Sequence, residues 1–91
     1  MDQIKVLIVD DHPLLRQGLT RLLELEQDIK VVGQAKNGEE ALAVVEKLQP
    51  DVILLDINMP GMNGIETTRI LREQYPNVHV LALTFTTMNH M

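Results

Sequence analysis

The chain has no cysteine, which excludes a disulfide framework and any thiolate metal site. Aromatic residues are nearly absent, Tyr75 and Phe85 being the only two. With 45% of the 91 residues apolar, the core has to be layered from Val, Ile, Leu and Ala, a composition suited to helices packed on a buried sheet. Positive charge is scarce and scattered. Eight Lys and Arg stand against thirteen Asp and Glu, a net charge of −5, which argues against a nucleic-acid surface and makes a cation the better partner. No basic segment leading into a long apolar stretch follows Met1, and no apolar run approaches the length of a membrane span. The expectation is a cytoplasmic protein without membrane contact, a single domain over residues 1–91.

What is present is an alternation of strand and helix patterns. Ile4-Lys5-Val6-Leu7-Ile8-Val9 reads as a strand and closes on Asp10-Asp11. Leu15, Leu19, Leu22 and Leu23 recur at helical spacing after Pro13, which a first helical turn tolerates. Val31 to Ala35 is short and contains Gly33 and Gln34, which predicts an edge strand. Asn37-Gly38 opens a second helix with an acidic first turn, Glu39-Glu40, and an apolar face of Ala41, Leu42, Val45 and Leu48, stopped by Pro50. Val52-Ile53-Leu54-Leu55 leads to Asp56. Gly64 starts a third helix through about Gln74 that carries Ile65, Ile70 and Leu71, and Val78 to Leu83 forms the next strand. Such alternation implies βαβ units, hence an α/β three-layer fold with a parallel sheet covered on both faces.

In an open parallel sheet, ligands bind beyond the carboxyl ends of the strands, where the strand order reverses. Asp10, Asp11, Asp56 and Thr84 all fall at such ends. In the flavodoxin-like order 2-1-3-4-5, the reversal lies between the first and third strands and brings Asp10 and Asp11 beside Asp56. Carboxylates that close repel one another, and Mg²⁺, which takes oxygen ligands in octahedral geometry, relieves the conflict. Asp11 and Asp56 offer carboxylates and Asn58 a main-chain carbonyl. Each residue also has a plainer use: Asp11 as a cap for the helix after Pro13, Asp56 and the Pro60-Gly61 and Asn63-Gly64 pairs as turn formers, Thr84 as a strand end. His12, His79 and His90 do not converge in sequence and read as solvated surface.

Through Val9-Asp10-Asp11-His12, through the run from Leu55 to Gly64 and through Leu81-Ala82-Leu83-Thr84, nearly the whole chain resembles the receiver domain of two-component response regulators. Residues 11–19, Asp-His-Pro-Leu-Leu-Arg-Gln-Gly-Leu, are similar to the NarL/FixJ subgroup. The resemblance implies that Asp56 is the phosphoacceptor, that Asp11 with Asp10 behind it holds Mg²⁺ together with Asp56 and the Asn58 carbonyl, and that Thr84 is the switch hydroxyl. It further implies a sensor histidine kinase as phosphodonor and regulation of transcription through a DNA-binding output domain outside this chain. The family continues with a fourth helix, a fifth strand bearing a phosphate-binding Lys, and a fifth helix; the resemblance here stops after the fourth strand. Lys36 alone reaches the carboxyl end of the sheet, from the wrong side.

Three other functions compete. A receiver-like interaction module that is not phosphorylated is suggested by the missing Lys. An aspartyl-nucleophile phosphatase needs a second carboxylate two residues beyond the nucleophile, where Asn58 stands, and a flavin site needs hydroxyls and glycines where Asp10-Asp11 stand. Finally, a fourth strand without a neighbour leaves an apolar edge, which predicts a homodimer or larger assembly of this chain.

Overall fold

Residues 2–57 and 64–83 are described by the structure, a computed structural model. β1 (Ile4–Val9) contains the successive buried residues Val6, Leu7, Ile8 and Val9. A strand covered on both faces needs no polar alternation, so the run is continuously apolar. It is followed by α1 (Pro13–Leu23), β2 (Ile29–Ala35), α2 (Gly38–Leu48), β3 (Val52–Asp56), α3 (Gly64–Gln74) and β4 (His79–Leu83). β2 begins two residues before the stretch expected from the sequence and β4 one residue after.

The four strands form a parallel sheet in the order β2-β1-β3-β4, the flavodoxin-like order expected for the strands present. β2 is at an edge, and its pairing with β1 shifts register between Val6 and Leu7, so that Leu7 faces Gly33. The β1–β3 register sets Leu7 against Ile53 and Val9 against Leu55. Leu7, Val9, Ile53 and Leu55 share one face and pack with Ala41 and Val45 of α2 and Leu71 of α3 in the main core. Burial of the Val, Leu and Ile side chains among these contributes about 1.5–3 kcal/mol each.

α2 starts cleanly. The Asn37 side chain accepts the Glu40 N–H at 2.8 Å, which satisfies one of the donors a helix start leaves unpaired, and the Glu40 carboxylate accepts the N–H of Lys36, just before the cap, at 2.8 Å. It ends at Gln49 in the left-handed region (φ 49°), with the Gln49 N–H returning to the Val45 carbonyl.

Two helical faces differ from those expected. In α1, Leu15, Leu19 and Leu23 are half-buried, but Leu22 is 64% exposed. At about 100° per residue, Leu22 lies on the far flank from Arg16 and Thr20. Arg16 and Thr20 are tied to β1 and β2: Arg16 Nη1 donates to the Asp10 carbonyl at 2.6 Å and Arg16 Nε to Gln34 Oε1 at 3.3 Å, while Gln34 Nε2 donates to Thr20 Oγ1 at 3.1 Å. These polar contacts roll the helix and lift Leu22 away from the sheet. In α3, Ile65 is 72% exposed, and the buried face is Gly64, Thr67 and Leu71. Gly64 fixes that rotation, because its α-carbon abuts Ile57 at the end of β3, where a Cβ would lie 2.3 Å from Ile57 Cα.

Candidate functional site

The carboxyl ends of β1 and β3 are adjacent in the sheet, and the residues that follow the pair Val9–Leu55 are Asp10 and Asp56. Both are buried, Asp10 to 1% exposure and Asp56 to 4%. The chain reaches Asp10 with its backbone still in the ladder, the Asp10 N–H donating to the Ala35 carbonyl at 3.0 Å. It then turns through Asp11 and His12 into α1. One ligand atom from each of Asp10, Asp11, His12 and Asp56 can be chosen so that all lie within 4.8 Å of one another.

The hydrogen bonds inside this cluster are unequal. Asp10 Oδ1 accepts the His12 main-chain N–H at 2.7 Å and lies 2.8 Å from His12 Nδ1. The same ring nitrogen is 3.0 Å from Asp11 Oδ1, a charge contact without hydrogen-bond alignment. Asp10 Oδ2 and Asp11 Oδ1 are buried and have no hydrogen-bond partner among the described residues. A buried carboxylate oxygen left unpaired is costly unless a cation or water completes it. The plainer use of Asp11 as a helix cap is not realised. His12 occupies the cap position of α1, its own side chain makes no cap hydrogen bond, and the Arg16 N–H returns to the His12 carbonyl at 3.0 Å.

His12 corrects an expectation. The side chain is 67% exposed, but its ring is not merely solvated, since Nδ1 sits between two carboxylates. Its pKa is raised, first by the hydrogen bond to Asp10 and next by the charge of Asp11. His79, at the start of β4, pairs with Val52 at the opposite end of the strands. Arg16 was also missed by sequence reasoning: its guanidinium grips the Asp10 carbonyl and thereby fixes the turn that presents Asp11. The signal available was a cation one helical turn after the acidic pair.

Asn58, Thr84 and His90 lie outside the described residues. The last described residue of β4, Leu83, pairs with Asp56 and accepts the Ile57 N–H at 3.1 Å. Lys36 follows β2, which β1 separates from β3.

An open parallel sheet in this order, with clustered carboxylates at its carboxyl edge, is the architecture of a signalling receiver. The family model described as the response regulator receiver domain matches residues 6–91, and the chain belongs to that family. It is 49% identical over 83 residues to the transcriptional regulatory protein DegU of Brevibacillus brevis, covering 91% of this chain and 35% of DegU. In structure it is similar to the signal receiver domain of the response regulator NarL from Mycobacterium tuberculosis, with a TM-score of 0.88 and 36% identity over 97% of this chain and 71% of that one. It is also similar to RcsB from Salmonella enterica serovar Typhimurium, solved bound to promoter rprA in the presence of phosphomimetic BeF3−, with a TM-score of 0.87 and 27% identity over 94% of this chain and 44% of RcsB. The chain thus spans little more than a third of the length of the curated relatives it matches. Among the described residues, no helix is long and apolar enough to cross a membrane.

Proposed function

We propose that this receiver domain, taken as one unit over residues 1–91, accepts a phosphoryl group on Asp56 from the phosphohistidine of a sensor histidine kinase. The observation that carries the proposal is the convergence of Asp10, Asp11 and Asp56 at one end of the sheet, with two of their buried oxygens, Asp10 Oδ2 and Asp11 Oδ1, lacking a hydrogen-bond partner among the described residues. Those oxygens fit a hard divalent cation, which prefers oxygen donors. Asp10, Asp11 and Asp56, with the main-chain carbonyl of Asn58, would hold Mg²⁺. When bound, Mg²⁺ neutralises charge on the phosphoryl oxygens.

In the transfer, a carboxylate oxygen of Asp56 forms a bond to phosphorus as the phosphorus–nitrogen bond to the donor imidazole breaks. The imidazole takes up a proton as it leaves, and an acyl phosphate remains on Asp56. Burial of Asp56, 4% exposed at the end of β3, limits water at the attacking oxygen, and Arg16, bonded to the Asp10 carbonyl, steadies the turn that carries Asp11. Thr84 is assigned the hydroxyl that answers the new phosphoryl group.

The response regulator RcsB, solved on a promoter with a phosphate mimic, supports an intact protein that regulates transcription. With a net charge of −5, this chain is assigned no DNA contact of its own; DNA belongs to an output domain. A second copy is assigned to the edge of β4, where Leu81 is 54% exposed.

The test is an intact-mass measurement after treatment with a small phosphodonor and Mg²⁺. Wild-type protein should gain one phosphoryl group and Asp56→Asn none. Equal gains in mass in the two proteins, whether one phosphoryl group or none, would remove Asp56 from the acceptor role.

A further inference from the structure

Both backbone groups of Asp10 are tied to β2, a strand that supplies none of the clustered side chains. The Asp10 N–H donates to the Ala35 carbonyl at 3.0 Å. The Asp10 carbonyl accepts Arg16 Nη1 at 2.6 Å, and the same guanidinium donates through Nε to Gln34 Oε1 at 3.3 Å. A guanidinium can only donate, so Gln34 turns its oxygen toward Arg16 and its amide nitrogen toward Thr20. Gln34 Nε2 donates to Thr20 Oγ1 at 3.1 Å, and Thr20 Oγ1 donates to the Arg16 carbonyl at 2.7 Å. These bonds close a ring that holds the planar fork of Arg16 in one orientation. Gln34 can take part because of its place in the sheet. It pairs with Ile8, whereas Ala35 pairs with Val9 and lies in the main core, so the Gln34 side chain stands on the opposite face, under α1.

We propose that Gln34 is a positioning residue for phosphoryl transfer, acting through Arg16: it orients the guanidinium that fixes the Asp10–Asp11 peptide, and so sets where the Asp11 carboxylate stands relative to Asp56. This rests on the reading of Asp56 as the acceptor. The bond from Arg16 to the Asp10 carbonyl is short and charge-assisted, but one bond leaves the guanidinium free to swing about it. The second bond, to Gln34, removes that freedom. Gln34 is exposed, as are its bonds to Arg16 and Thr20, so water replaces them at little cost in stability. A small misplacement at the reacting centre is nevertheless felt strongly in the rate. A residue that only braced α1 would change unfolding and leave the rate of the folded protein untouched.

The experiment follows the gain of one phosphoryl group by intact mass over time, at a series of concentrations of a small phosphodonor with Mg²⁺, in wild type, Gln34→Met, Gln34→Glu and Arg16→Lys. Gln34→Met keeps the length of the side chain and removes both its acceptor and its donor. Its rate constant at saturating donor should fall about threefold to tenfold, with the half-saturating donor concentration and the urea midpoint close to those of wild type. Gln34→Glu keeps an acceptor for Arg16 Nε and should hold most of the wild-type rate. Arg16→Lys replaces the fork with a single ammonium, which cannot hold both oxygens in place, and should fall at least as far as Gln34→Met. Without metal, amide hydrogen exchange at Asp10 and His12, whose N–H groups are held on either side of Asp11, should quicken about threefold in Gln34→Met and not in Gln34→Glu. A wild-type rate in Gln34→Met, a fall in its rate with unchanged amide exchange, or an equal fall in Gln34→Glu overturns the role of Gln34, and the gain of mass in wild type leaves the acceptor reading standing. No gain in wild type overturns both.

Discussion

Replacing Gly64 with Ala tests how α3 is seated against the acceptor strand. The added methyl would lie 2.3 Å from Ile57 Cα, 2.9 Å from Ile57 Cβ and 3.0 Å from Ile57 Cγ2. Ordinary contact begins at 3.4 Å, so the first turn of α3 must withdraw from the end of β3 by about 1 Å. The nearest obstacle is backbone, and no rotamer change relieves it. Withdrawal lengthens the Gly64 N–H to Ile57 carbonyl contact, already 3.4 Å, and loosens Thr67 and Leu71, which are fully buried. Overpacking costs about 1–3 kcal/mol, and the unyielding backbone places this substitution at the upper end. Against a total stability on the order of 5–13 kcal/mol for a domain of this length, a loss of about 3 kcal/mol lowers Tm by roughly 12–24 °C. Urea unfolding followed by circular dichroism measures it. Gly18→Ala is the matched control, because nothing lies within 4 Å of the added methyl and a mid-helix Gly costs about 0.5–1 kcal/mol relative to Ala. It should stabilise. A Gly64→Ala protein within about 0.5 kcal/mol of wild type would refute the seating of α3 on Ile57.

Mg²⁺ at about a hundred times its Kd should stabilise the native protein by about 2.7 kcal/mol, and Asp11→Ala should abolish the shift in thermal midpoint; a full shift in the mutant would take Asp11 out of the cation site. For His12, a folded pKa raised by Asp10 and Asp11 means that its contribution to stability is complete below an unfolded pKa of about 6.5 and disappears as pH rises through the folded value. Without metal, His12→Gln should therefore lie further below wild type at about pH 5.5 than at about pH 8.5, and a gap that widens toward alkaline pH would contradict the contacts of its ring. Light scattering at micromolar concentration should give a dimer or larger species, with β4 as the joining edge; a compact monomer with cooperative unfolding would reject that assembly.

β1 and β3 were legible because each is an aliphatic run too hydrophobic for any other place in a small acidic domain, and Asp10, Asp11 and Asp56 stood out because they close such runs. The starts of α2 and α3 were legible from Asn37-Gly38 and Gly64, where local backbone chemistry dictates the element. Helix rotation was not. Periodicity marks a face about 100° wide, but tertiary contacts choose the seat within it: Arg16 and Thr20 roll α1 so that Leu22 faces out, and the approach of Gly64 to Ile57 turns Thr67 inward in place of Ile65. The same holds for the site. Sequence order supplied the carboxylates and, through the strand order, their meeting, whereas the place of His12 between Asp10 and Asp11 depends on the angle at which the chain leaves β1. That angle is fixed by the hydrogen bond from the Asp10 N–H to the Ala35 carbonyl and by the one from Arg16 to the Asp10 carbonyl, and Ala35 and Arg16 approach Asp10 only once β2 and α1 have packed against β1.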